Sequence, residues 1–366
     1  MASPIDRRSF IGRSAAALTG IAALGLAGPG GSTIERVLTD KKVPTSGAVK
    51  ANSFGALTIC GAWVPDVETG GEYIADTEGY WKKLGFKSVD IIPSGPSAPP
   101  EEVTVETGRA FYGISSVDAA AASIVKGFGL VIIGAQYQNS PYAIMSPAHK
   151  PLRKPKDMIG KKIGVGSDND QVWSEFLSVN HIKPSQVDTV PVSFDPTPLT
   201  QGTVDGWFSY ITNEPVELAL KGFKTYTFLL QDYGVPEVSC IFFTTKTALT
   251  EARAKLKAAM TGEILGWKTA LTNPGLAAKL SVKKGQGLTY KAELLQAYAQ
   301  NKLIVPPGHK PNGLFYISPE SQAQSCHTVG LGGIHVTPKK IFDMSLLEEI
   351  YRETPSLKVV PKPVYG

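Results

Sequence analysis

Cysteine and histidine are scarce in this 366-residue chain: three of the first and five of the second. Three cysteines allow one disulfide at most, which excludes a disulfide-stapled scaffold. Cys60 and Cys240 sit in apolar, strand-like runs and read as buried thiols. The histidines, His149, His181, His309, His327 and His335, are scattered. His327 and His335 flank a Gly-rich turn beside Cys326, and there a surface loop is a better reading than a metal site. No GxGxxG, phosphate loop, HExxH, GxSxG or CxxC occurs, so neither a nucleophile–base pair nor a metal set is visible. No catalytic residue, metal or cofactor is expected, and the chain does not read as an enzyme. Charge of one sign is also lacking. The formal net charge is +5. Arg7, Arg8 and Arg13 against Asp6 account for two of those charges, leaving about +3 on the remainder. So weak and dispersed a charge gives no case for nucleic acid as a partner.

What is present begins at the N-terminus. Arg7-Arg8-Ser9-Phe10 precedes an apolar run from Ala15 to Ala27, which ends at Gly28-Pro29-Gly30-Gly31. A basic start, a short apolar segment and a small-residue break describe an export signal over residues 1–30. The paired arginines resemble the twin-arginine signal, so the protein is expected outside the cytoplasmic membrane, in the periplasm or at the cell surface. Residues 31–53 read as a polar linker.

Further along, short β-rich runs alternate with helical patterns. Strands are expected at 57–60, 89–92, 111–114 and 130–133, with helices over 70–84, from 99 to 106 and over 117–125. The alternation then restarts. Strands are expected at 161–165, 189–192, 206–208 and 226–230, with helices over 171–180 and up to Leu220. This argues for an α/β fold with largely parallel sheets. Residues 247–302 look mainly helical, 304–318 a Pro/Gly-rich loop, 346–352 a last helix, and the chain from Pro355 an extended tail. An internal echo supports two similarly built units: Lys126-Gly127-Phe128 and Lys221-Gly222-Phe223 are each followed, after the same interval, by Gln136 and Gln231. Two such units facing each other would form one cleft from the loops at the carboxyl ends of their strands.

Those loops are rich in aromatic and polar residues. They hold Trp63, Asp66, Glu68 and Thr69 in the first; Ser97 in the second; Ser115 and Ser116 in the third; and Gln138 in the fourth. The second unit supplies Ser167, then Tyr210, Asn213 and Glu214, then Tyr233. Gly164-Val165-Gly166-Ser167, between a strand and a helix, suits a polar or anionic group. A flat heteroaromatic ligand matches the mixture, since aromatic faces stack on it and amides and carboxylates bond its nitrogens. Glu214, just before Pro215, could serve a helix N-terminus or accept hydrogen bonds from a ligand amine.

From Leu57 to about Thr244 the sequence resembles the NMT1/THI5-like, or SsuA/THI5-like, solute-binding proteins. The resemblance is carried by Trp63-Val64-Pro65, Gly71-Glu72-Tyr73-Ile74-Ala75, Gly79-Tyr80-Trp81, Gly108–Ser115, Lys156–Val165, and Asp205-Gly206 through Tyr210-Ile211-Thr212-Asn213-Glu214-Pro215. Phe111 departs from the family's usual acidic residue. The resemblance implies a type II periplasmic-binding-protein fold of two α/β lobes, with a hinge and an interlobe cleft. It places lobe 1 at 54–147 plus 247–340, lobe 2 at 148–246 and a C-terminal helix and tail at 341–366, with crossovers near Met145–Lys150 and Phe243–Ala248. It implies a monomer that captures a small molecule by closure and delivers it to an ATP-driven permease. Trp63, Tyr210 and Glu214 suit a thiamine-pyrimidine-like ligand. Sulfonate, taurine or nitrate is the alternative, disfavoured by the lack of Arg or Lys in the cleft loops. Some relatives make the pyrimidine instead of binding it. Their Cys-rich segment is missing here.

Overall fold

The computed structural model describes residues 51–366 except Pro96. The expected export signal and most of the linker lie outside the described residues. Among the described residues no helix is long and apolar enough to cross a membrane.

Among the described residues ten strands form two five-stranded sheets. The strands are β1 (Ala56–Cys60), β2 (Ser88–Ile92), β3 (Tyr112–Ser115), β4 (Leu130–Tyr137), β5 (Tyr142–Pro147), β6 (Lys162–Gly166), β7 (Asp188–Val192), β8 (Gly206–Tyr210), β9 (Thr225–Leu229) and β10 (Ser239–Thr245). The sheet orders are β2-β1-β3-β10-β4 and β7-β6-β8-β5-β9. Each sheet has one strand that runs against its neighbours, and in each it is the strand next to a crossover: β10 pairs antiparallel with β3 and β4, and β5 with β8 and β9. Both sheets thus follow one plan. The two Lys-Gly-Phe steps occupy equivalent places in it, closing helices Val117–Val125 and Glu214–Leu220 before the edge strands β4 and β9. Gly127 and Gly222 adopt left-handed φ of 104° and 80°, which lets each helix stop and turn back.

Both crossovers fall earlier than the sequence suggests. β5 begins at Tyr142 and lies wholly in the second sheet, so the chain first crosses over residues 138–141 and returns over 230–238. The expected lobe boundaries at 147 and 246 therefore cut off β5 and β10 from the sheets they pair with. The two crossing segments touch: the Ser140 amide donates to Gln231 Oε1 at 3.1 Å.

The expected helix over 70–84 breaks at Gly79 (φ 68°) into Gly70–Thr77 and Tyr80–Lys83. The stretch around His327 is not a surface loop but the helix Pro319–Leu331. Cys326 is buried there while His327 is exposed. The tail from Pro355 forms one more short helix and then docks, with the Tyr365 hydroxyl donating to Val305 O at 2.7 Å. All three cysteines are unpaired and buried.

The larger core lies on the first sheet, covered by helices from both ends of the chain. Helix Arg253–Thr272 crosses helix Gly70–Thr77 at very close range. A Cβ on Gly266 would meet Gly71 O at 2.2 Å, and the indole of Trp81 reaches across to donate to Ala259 O at 2.8 Å. Two smaller cores serve the second sheet.

Candidate functional site

The carboxyl ends of the parallel strands in both sheets turn toward the crossovers, and the two lobes are shut on each other. Helix Tyr290–Ile304 of the first lobe packs on helix Glu214–Leu220 of the second, and helix Pro319–Leu331 on helix Asp170–Val179. Gln171 Nε2 donates across this seam to Gly332 O at 3.2 Å. Tyr210, the last residue of β8, holds its hydroxyl 3.3 Å from that of Ser239, the first residue of β10.

Carboxylates crowd this closed seam. After β1 the chain makes a single 3₁₀ turn, Val67–Thr69, because Asp66 caps it by accepting from the Glu68 amide at 2.8 Å. Both acids are thereby turned inward, at 7 % and 6 % exposure. Glu68 accepts from the Tyr137 hydroxyl at 3.4 Å, and that hydroxyl lies 3.1 Å from Gln300 Oε1. Gln136 Nε2 fixes the turn by donating to Glu68 O at 3.2 Å. From the second lobe comes Glu214, which accepts from the Tyr210 amide at 2.9 Å. From the helix Tyr290–Ile304 comes Glu293, 1 % exposed, with Oε2 unpartnered.

Burial raises all four acids, because water is removed without a cation replacing it. Asp66, Glu214 and Glu293 are each pushed up to about 7. Glu68 is raised well above its ordinary range, first by desolvation, then by the charges of Asp66, Glu214 and Glu293. Glu214 belongs to one lobe and Asp66, Glu68 and Glu293 to the other, so closure adds a fourth acid to three already gathered on the first lobe. The Cys240 thiol, at a left-handed φ of 48°, sits in the same place and is raised by burial and then by Glu68.

Among the residues expected from sequence, the structure brings together Asp66, Glu68, Tyr210 and Glu214. Trp63 is half-buried on the same loop, tied to the loop after β2 through Ser94 N donating to Trp63 O at 3.1 Å. Asn213 is half-buried beside Glu214 and accepts from the Thr212 hydroxyl at 3.1 Å. Thr69 is buried at the end of the turn. Others have local work. Ser116 caps helix Val117–Val125, the Ser115 hydroxyl serves Glu102, and Gln138 Nε2 donates to Ala135 O at 3.1 Å. Ser97 and Ser167 are exposed on their loops. Tyr233 stands apart from the acids, packed edge-on to Phe228 with its hydroxyl donating to Arg153 O at 3.2 Å. Glu293, Gln300 and Ser239 are not among the residues expected from sequence, while Tyr137 lies in the fourth of the expected loops. Glu293 has one sequence signal, its place in the first turn of a helix capped by Thr289, and that signal also fits a solvated helix start.

A cavity of about 550 Å³ lies elsewhere. Its walls include Ala56, Arg109, Phe111, Gly129 and Lys255, at the amino ends of β1, β3 and β4, on the side of the first sheet away from the acids. The Lys255 ammonium covers the Phe111 ring there at 4.7 Å. Among the described residues no group of three or more His, Cys, Asp or Glu is set to hold a metal ion.

The strand orders, the two crossovers and the shut seam define a two-lobed type II periplasmic-binding-protein fold. Solved structures agree. The periplasmic sulfonate-binding protein SsuA of Methylobacillus flagellatus, described as putative, superposes with a TM-score of 0.62 at 13 % identity, covering 85 % of this chain and 98 % of its own. The zinc-bound ligand-binding component of an ABC-type import system of Staphylococcus aureus gives 0.61 at 13 %, covering 81 % and 99 %. The periplasmic aliphatic sulphonate binding protein SsuA of Escherichia coli gives 0.59 at 15 %, covering 85 % and 94 %. No curated protein matches the sequence. The family described as NMT1/THI5 like matches residues 67–277, and the chain belongs to that family.

Proposed function

We propose that this protein is the extracytoplasmic solute-binding component of an ABC importer, and that it captures a small, flat, amine-bearing organic molecule by closing its two lobes. The observation that carries this reading is the facing of Glu214 against Glu68 across the seam, with Asp66 and Glu293 beside them and, among the described residues, no cation in the principal groups acting on any of the four. Burying uncompensated carboxylates is costly, and a protonated ligand nitrogen would offset that cost only in the closed form. That is the condition for ligand-driven closure: differential interaction with the two states. Tyr210 and Trp63 supply aromatic faces at the edge of the acids, which suits a ring such as an aminopyrimidine over an aliphatic amine. The same acids would repel a sulfonate or nitrate. The family and the fold of the structural neighbours support export, a permease in the membrane as partner and binding without turnover. A single chain suffices to build the site, which supports a monomer.

A thermal-shift screen tests this on the mature protein. The panel holds 4-aminopyridine, aminopyrimidines, taurine, alkanesulfonates and nitrate. Stabilisation by the amine-bearing rings is expected. Stabilisation by the sulfonates or nitrate alone overturns the ligand class, and turnover of any stabilising compound overturns the assignment as a binder.

A further inference from the structure

A second set of acids spans the same seam and is not used by the site above. Asp118 lies in the first turn of helix Val117–Val125 of the first lobe. Glu175 lies on helix Asp170–Val179 of the second lobe. Glu237 comes from the returning crossover. Glu175 is 0 % and Glu237 6 % exposed. One carboxylate oxygen of each is buried without a partner: Asp118 Oδ1, Glu175 Oε2 and Glu237 Oε2. Helix Pro319–Leu331 gathers their three elements: it packs on both helix Val117–Val125 and helix Asp170–Val179, and its Thr328 hydroxyl donates to Pro236 O, next to Glu237, at 2.8 Å. Asp118 and Glu175 accordingly both raise Glu237 after desolvation, and Glu175 in turn feels Asp118. The remaining contacts are local. Ser116 and backbone amides serve Asp118, and Gln171 Nε2 donates to Glu175 Oε1 at 2.8 Å. Gln171 is also the residue that bonds Gly332 across the seam, so the trio sits against the latch that holds the lobes shut.

This set shares no member with the first. Its link to it is the crossover itself. Cys240 is raised by burial and then by Glu68 and Asp66, and Glu237 precedes it by three residues, a step of about 10 Å of extended chain. Three orphaned acceptors drawn from both lobes and the hinge want donors, and several at once. No metal-holding geometry exists among the described residues. An organic ammonium or guanidinium group presents several N–H donors on one charge, which fits acceptors that are spread apart.

We propose that Asp118, Glu175 and Glu237 form a second cation-recognising subsite, so that the ligand carries two basic groups, one for each set of acids. This rests on the cleft reading above, and it narrows the ligand to a dibasic molecule.

The test compares 4-aminopyridine with 4-aminopyridines that carry an N-(aminoalkyl) arm of two to six methylenes, by calorimetric titration of the wild-type protein and of the E237Q, E175Q and D118N variants. The wild type is expected to bind the best dibasic member about tenfold or more tightly than the monobasic ring, the size of one charge-assisted hydrogen bond. That ratio is expected to fall towards one in E237Q and E175Q. D118N, at a less buried position, serves as the substitute should either glutamine variant fail to fold. A wild-type ratio of one overturns the second subsite while leaving monobasic binding, and so the cleft reading, intact. A ratio that persists in all folded variants also overturns it. Binding of neither amine, with binding of taurine, overturns both readings.

Discussion

Tyr210 and Ser239 touch hydroxyl to hydroxyl at 3.3 Å, and they belong to different sheets. Tyr210 also donates its amide to Glu214, which joins the seam to the acid set. Replacing Tyr210 by Phe removes one neutral hydrogen bond across the lobes and keeps the aromatic face. A loss of about 1 kcal/mol is expected in urea unfolding, with affinity for an aminopyridine reduced less than threefold. Replacing it by Ala removes the face as well, and affinity should drop a further tenfold or so.

Glu214 separates a capping role from a binding role. In the Gln variant the side-chain oxygen can still accept from the Tyr210 amide while the charge is gone. Calorimetric titration of E214Q should show affinity for 4-aminopyridine falling by about tenfold or more, the worth of a hydrogen bond to a charged group. The melting temperature should hold or rise, because an uncompensated buried acid is removed. A large fall in melting temperature with unchanged affinity would make Glu214 a helix cap only.

Stability should fall as the pH rises through neutrality. Asp66, Glu214, Glu293 and Glu175 are raised to about 7 and Glu72 to about 8, all first by desolvation. The groups acting on them are further acids: Glu293 feels Asp66, Glu214 feels Glu217 and Glu175 feels Asp118. Glu72 shares its helix contact with Glu263, itself raised by Glu72. The folded state therefore binds more protons than the unfolded one. The contribution is complete below the ordinary carboxylate range and is lost as the pH climbs through 7 to 8. Glu349, held down to about 2 by Lys257 and Arg253, acts in the opposite sense, losing its contribution only as the pH falls through that low value. Melting curves from pH 5 to pH 8.5 should show a steady decline; a rise over that interval would contradict the assignment.

The helix crossing on the first sheet tolerates no side chain at Gly266. An added Cβ lies 2.2 Å from Gly71 O, and backbone cannot swing aside as a side chain would. Overpacking of this kind typically costs about 1–3 kcal/mol, and G266A should reach or exceed that in chemical unfolding. An equally stable G266A variant would mean the two helices are further apart than described.

Much of the architecture could be read from sequence because its signals are local. The strand–helix alternation gave eight of the ten strands, and the Lys-Gly-Phe steps do sit at equivalent points of the two sheets. β5 was missed for a physical reason. Tyr142-Ala143-Ile144-Met145 is a short apolar run without a period, and its partners β8 and β9 lie far along the chain, so nothing nearby marks it as a strand. The first crossover was displaced with it, and the second with β10, likewise missed, whose apolar run carries no mark of the sheet it joins. At the site, Asp66, Glu68, Tyr210 and Glu214 stood out because they cluster in strand-end loops. Glu175, Glu237 and Glu293 did not. Each is a lone acid in ordinary helical or loop sequence, and only the folded chain removes it from water and turns it towards other acids.

The central claim is that closure gathers carboxylates that either protons or a cationic ligand must neutralise. Small-angle scattering measures closure directly, as the radius of gyration of the protein over residues 51–366 at pH 5.5 and pH 8, alone, with 4-aminopyridine and with taurine. The account predicts a smaller radius at pH 5.5 than at pH 8 for the protein alone, and contraction at pH 8 on adding 4-aminopyridine but not taurine. A radius that ignores pH, or a protein that contracts for taurine and not for the amine, would contradict it.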